Sequence, residues 1–202
     1  MTRWSFRSAS KYPHGWFGSI LGLYSGARVN EIGQLRLDDI KTIDGVPGFF
    51  VRQGSKGKSV KNKNSRRFVP LAQPVIDCGS LDYVKEARQA GLDRLLPNLP
   101  NSTGLGYGRQ LSRQFSVYVK RQGVPDKGQG FHGFRHTIAS KLDEAGVSAS
   151  AIGALTGHGL DKPCWRSSTL IGGACRTGWR RSLGFSPLSH SLIKATCNFH
   201  KS

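Results

Sequence analysis

The sequence predicts a mixed α+β fold, mainly helical, with one small antiparallel sheet. Two observations predict it. Apolar residues recur at helical spacing in several separate stretches. Residues 44–71 break that pattern, with aromatic and β-branched residues set between turn formers, as strands require. At 202 residues the chain is long enough to bury a core as one domain.

Taken in order, residues 13–26 (PHGWFGSILGLYSG) predict an apolar helix with Trp16, Ile20, Leu23 and Tyr24 on one face and Gly26 at its end. Next come Ile32, Leu35 and Leu37, which read as core. Arg28 and Glu31 lie three apart on the other side, the spacing of a surface ion pair worth about a few tenths of a kcal/mol. DGVPGFFVRQG supplies a first strand and GKSVKNKNSRRFVPL a hairpin. Lys56, Lys58, Lys61, Lys63, Arg66 and Arg67 crowd that hairpin with no acid among them. A charged ribbon protects a sheet edge from aggregation. So much uncompensated charge of one sign repels itself, which favours a polyanionic partner. Residues 72–91 predict a helix with Val75, Ile76, Leu81 and Val84 inside, followed by a Pro/Asn/Gly-rich loop. Residues 109–122 predict a basic amphipathic helix. Phe115 and Tyr118 face inward, and Arg109, Arg113, Lys120 and Arg121 outward.

Composition narrows the function classes. The formal net charge is +18, from 30 Lys+Arg against 12 Asp+Glu, which points to nucleic acid or an anionic surface. No apolar run approaches the roughly 20 residues that span a bilayer, and the first residues lack the apolar core of a secretion signal. Cys78, Cys164, Cys175 and Cys197 show no CxxC spacing, so neither zinc nor a disulfide framework is expected. A cytoplasmic location and no metal or other cofactor are the expectations.

Residues 130–159, GFHGFRHTIASKLDEAGVSASAIGALTGHG, organise the chain. Ile138, Leu142 and Ala145 share helical spacing, and a second apolar run covers Ala151 to Leu155. His132 and Arg135 stand at the mouth of the first helix, and His158 follows the second. Charged donors that converge in this way suit the gripping of a phosphate. The blander alternative is a pair of solvated polar residues on one helical turn.

From about Tyr12 to Pro163 the chain resembles the catalytic domain of the tyrosine recombinases, the phage integrase family. GARVNEIGQLRLDDI resembles the family's first box, KNKNSRRFVPL its lysine-bearing β-turn, and HGFRHTIASKLDEAG with LTGHG its second. The resemblance implies double-stranded DNA as partner, other recombinase subunits, and strand transesterification in DNA integration and recombination without metal or nucleotide. Arg28 and Arg135 match the two arginines that hold the non-bridging oxygens of the scissile phosphate. A guanidinium suits that role because its donors form a rigid fork and its charge is not titrated away. Lys61 matches the lysine that protonates the leaving 5′ oxygen, from the K-x-x-x-S pattern ending at Ser65, with Lys63 as fallback. His132 matches the histidine that handles the nucleophile's proton. His158 matches a phosphate donor and Glu31 a supporting acid. His136 is expected to buttress the helix. Lys56, Lys58, Lys63, Arg66, Arg67, Arg109 and Arg113 are the further expected DNA contacts.

The sequence departs from that pattern twice. Where the family places its nucleophilic tyrosine, this chain reads Ser167, Ser168 and Thr169, and its last tyrosine is Tyr118. Only about a dozen residues precede the resemblance, where full-length members carry a DNA-clamping domain. Residues 164–202 hold six Lys/Arg, no acid and three of the four cysteines. The expectation is a truncated, frame-disrupted product of a phage or other mobile element. Residues 1–11 would be a remnant, 12–163 the catalytic domain and 164–202 an irregular basic tail. Such a chain would bind DNA but be impaired in strand cleavage unless a neighbouring subunit supplies a tyrosine. The competing classes are a DNA-binding module that competes with an intact integrase, a phosphodiesterase that uses water through His132 and Arg135, and a basic RNA-binding protein.

Overall fold

The computed structural model describes residues 14–52, 66–101, 106–121 and 130–157, except for the side chains of His14 and Trp16. The expected place of Trp16 on the first helix face therefore lies outside what is described.

A π-helical turn, His14–Gly18, runs into helix α1, Ser19–Ser25, in which every residue is buried. A helix apolar on all sides belongs at the centre of a fold. Helices α2 (Val29–Gly33), α5 (Gly108–Arg121) and α6 (Gly133–Glu144) gather around this axis. Glycine sets how closely they approach. A Cβ on Gly22 would lie 2.4 Å from Cζ of Phe131. That ring is itself held edge-on against Phe115 and Phe134 at centroid distances of 5.7 and 5.3 Å. Ile138, with no exposed surface, and Leu142 fill the α6 side of the core. Ala145 does not join them. It caps the C-terminus of α6 and is exposed.

The sheet has three antiparallel strands in the order β1 (Ile40–Ile43), β2 (Val46–Val51), β3 (Arg67–Pro70). The first strand lies ahead of the expected start at residue 44. Asp44 and Gly45 instead form a two-residue turn with φ of 48° and 75°, the left-handed pair that suits the twist of a tight hairpin. Phe49 pairs with Ile40 on one side and Val69 on the other, and Phe49 and Val69 are both fully buried. The expected single helix over 72–91 is two, α3 (Gln73–Asp77) and α4 (Ser80–Gln89). Gly79 breaks it at φ 86°. Val75 and Val84 are buried, while Ile76 and Leu81 are half-buried against the same core. Helix α7, Ala149–Thr156, begins at Ser148, whose hydroxyl accepts the Ala151 N–H, and packs against α6 and β3. The mainly helical α+β class is as the sequence predicts.

Overpacking tests the central contact. Gly22→Ala should lower stability by about 1–3 kcal/mol, read as a fall in the urea midpoint. Gly130→Ala, where a Cβ meets open space, should leave the midpoint unchanged.

Candidate functional site

Arg28 is the residue before the first turn of α2, and its extended backbone (φ −66°, ψ 146°) turns the chain into the helix. Three residues on, the Glu31 carboxylate reaches back. Its Oε2 accepts the Arg28 backbone N–H at 2.8 Å, and its Oε1 accepts Nη1 of Arg28 at 3.0 Å. Glu31 is 4% exposed, so this is no solvated surface pair.

The second partner of Glu31 is Arg67, at the start of β3. Nη2 and Nη1 of Arg67 donate to Oε2 and Oε1 at 2.8 and 3.2 Å. Arg67 is only 2% exposed, which corrects its expected place among the DNA contacts. It points inward because it lies two residues before the fully buried Val69, on the same face of the strand. All four residues of β3 are buried, so the local sequence carried no signal that would have separated Arg67 from its basic neighbours. Burial alone would raise the Glu31 pKa. The charge and hydrogen bonds of Arg67, then the backbone N–H and charge of Arg28, outweigh burial and hold it below its ordinary value.

Helix α6 brings the remaining groups. Arg135 is buried, and its Nη1 donates to the Gly26 carbonyl at 3.1 Å. Burial, then the like charges of Arg28 and Arg67, push its pKa down to about 10, and Glu31 offsets only part of this. His132 sits exposed at the helix mouth, edge-on to His136 at 4.9 Å between ring centroids. Lost hydration, then His136, Arg135 and Arg28, lower its pKa and favour the neutral imidazole. The expected buttressing by His136 amounts to this ring contact, since His136 is itself exposed.

The structure thus brings together Arg28, Glu31, His132 and Arg135, from segments more than 100 residues apart, and adds Arg67. Two guanidiniums share the Glu31 carboxylate and that of Arg135 lies within electrostatic reach of all three groups, an arrangement suited to an anion. Arg109 and Arg113 lie on the exposed face of α5 and line a 380 Å³ hollow with Val29 and Asn30, the residues that follow Arg28. Arg66 is exposed just before β3. Lys56, Lys58, Lys61, Lys63, His158, Ser167 and Ser168 lie outside the described residues. Among the described residues no group of His, Cys, Asp and Glu is placed to hold a metal ion, and no helix is long and apolar enough to cross a membrane.

The chain matches the phage integrase family over residues 19–162. It is 31% identical over 139 residues to tyrosine recombinase XerD of Staphylococcus haemolyticus, covering 66% of this chain and 42% of that protein. It is 30% identical over 135 residues to a putative integrase/recombinase, y4rA, of Sinorhizobium fredii, covering 66% of this chain and 30% of that protein. Against tyrosine recombinase XerC of Syntrophus aciditrophicus it is 27% identical over 159 residues, covering 73% of this chain and 48% of that protein. The chain therefore spans less than half the length of these relatives. No solved structure matches it significantly.

Glu31→Gln leaves Arg67 buried without its counter-charge and should destabilise the fold by about 3–5 kcal/mol. A carboxyl held below its ordinary value of 4.5 stabilises the fold above that pH. That contribution fades as the pH falls through the lowered value. Urea titrations at a series of pH values should show a constant gap between the wild-type chain and the variant at neutral pH, narrowing below about 4.5. A gap that widens on acidification would contradict the assignment.

Proposed function

Since the chain belongs to the phage integrase family, we propose that it is the phosphate-gripping catalytic domain of a site-specific DNA recombinase. The observation that carries this is that Arg135, whose Nη1 donates to the Gly26 carbonyl two residues before Arg28, comes within reach of the charges of Arg28 and Glu31. In phosphoryl transfer, charge gathers on the non-bridging oxygens, and donors fixed beforehand lower that barrier. Arg28, 27% exposed along its side chain, forms the lip of the grip, and buried Arg135 its floor. His132, neutral at ordinary pH, accepts the proton of an attacking hydroxyl. Lys61, with Lys63 as alternative, protonates the departing 5′ oxygen, and His158 adds a donor to the phosphate. The exposed Arg66, Arg109 and Arg113, with Lys56, Lys58 and Lys63, hold the flanking duplex. In the complete reaction a tyrosine hydroxyl attacks phosphorus and the 5′ oxygen leaves. A new 5′ hydroxyl then displaces the tyrosine, so the phosphodiester energy is conserved.

On this reading strand cleavage by the chain alone is impaired, because no tyrosine stands where the family places its nucleophile. Each described tyrosine is engaged in the fold. Tyr24 is buried, with its pKa pushed up to about 12. Tyr83 is buried and donates to the Leu95 carbonyl at 2.8 Å. Arg94 lies 3.4 Å above the ring of Tyr107, and Tyr118 is buried in α5. Residues 119–202 contain no tyrosine. The same observation favours a second reading, a DNA-binding module that competes with an intact recombinase for its site.

Two measurements test the proposal. Duplex binding should weaken steeply with salt. Arg28→Ala with Arg135→Ala should flatten the log–log slope by about 0.9 for each phosphate that the variant no longer neutralises. An unchanged slope and affinity in the double variant would leave only the competitor reading. On a nicked site substrate, denaturing electrophoresis should reveal no covalent protein–DNA adduct. An adduct would overturn the claim of impaired cleavage.

A further inference from the structure

Arg67 is buried, and it bonds to two separate segments besides its own strand. Through Nη1 and Nη2 it holds both oxygens of Glu31. Through Nε it donates to the Leu155 carbonyl at 2.6 Å. That carbonyl lies in the last turn of α7, where a helix leaves its own acceptors without partners. Just beyond, Gly157 closes the helix at φ 75°, and a Cβ there would lie 2.7 Å from Nη1 of Arg67. Only glycine meets both conditions, the left-handed backbone and the close approach.

Glu31 adds the second half of the argument. A carboxylate offers about four acceptor positions, and here four hydrogen bonds fill them, two from Arg28 and two from Arg67. The outer arginine is therefore aimed by a carboxylate that the inner arginine aims in turn. Resting on the phosphate-binding reading above, we propose that Arg67 is a positioning residue of that site. It does not touch the phosphate. It orients Arg28 through Glu31, while its Nε bond to the Leu155 carbonyl holds its own guanidinium in place. A lysine in its place keeps one charge but loses the fork, so it holds only one of these partners well.

The test is a double-mutant cycle on the whole chain with inorganic phosphate as probe. Binding is followed by the arginine side-chain N–H signals in isotope-labelled protein. Arg67→Lys should remain folded by circular dichroism and bind phosphate on the order of tenfold more weakly, the loss expected when one charge-assisted hydrogen bond is misplaced. In an Arg28→Ala background the same change should cost little more. A purely structural role predicts the opposite, a loss that adds to that of Arg28→Ala. Additive losses, or wild-type affinity in folded Arg67→Lys, overturn the proposal. Where Arg67→Lys fails to fold, Glu31→Asp shortens the same link and enters the same cycle under the same criteria. Should Arg28→Ala leave phosphate affinity intact, the phosphate-binding reading itself falls, and the inference falls with it.

Discussion

The buried ion pair between Glu31 and Arg67 is the constraint on which the rest of the site depends. Two charges removed from water repay their desolvation only when geometry is good and every remaining donor and acceptor is satisfied. The geometry here is good, with parallel N–H···O bonds at 2.8 and 3.2 Å, and the Leu155 carbonyl takes the Nε donor. Helix α2 has only five residues, too few to persist by propensity. Its place comes from this pair and from Asn30, whose Oδ1 accepts the Gly108 N–H at the start of α5. The pair therefore joins the helical layer to the sheet at the point where the candidate site opens.

Around that neutral pair like charges stand close together. Beyond the effect of burial, His136, Arg135 and Arg28 disfavour the protonated form of His132, and Arg28 and Arg67 disfavour that of Arg135. A cluster of this kind is held together by the fold against its own repulsion. Donors fixed in advance need no reorganisation when negative charge arrives, which is where electrostatic catalysis gains most of its effect. The stabilisation that an anion supplies on arrival is the counterpart of the repulsion carried without it.

Much of this was legible in the residues. The periodicity of α1, α5 and α6, the strands over 46–51 and 67–70, and the pairing of Arg28 with Arg135 all follow from local pattern and motif order. What escaped depends on tertiary context. The strand Ile40–Ile43 went unread, because its partner lies across a two-residue turn. The break at Gly79 needs a positive φ that composition does not announce. Arg67 was grouped with its basic neighbours by charge, and with all four residues of β3 buried the local sequence did not set it apart. Charge is a weak guide to direction when a buried acid, Glu31, waits inside. The Glu31 pairing looked like a weak surface contact because the sequence shows spacing but not burial.

The register of the sheet has a consequence of another kind. Val51 is paired with Arg67, so the chain leaves β2 and re-enters β3 between two adjacent, firmly seated posts. The arginine at the second post is clamped from inside the protein by Glu31 and the Leu155 carbonyl. Lengthening such a connection costs only a slowly growing closure entropy, about 0.6 kcal/mol for each doubling. Two posts seated in the core can therefore carry spans of different length at little cost in closure entropy.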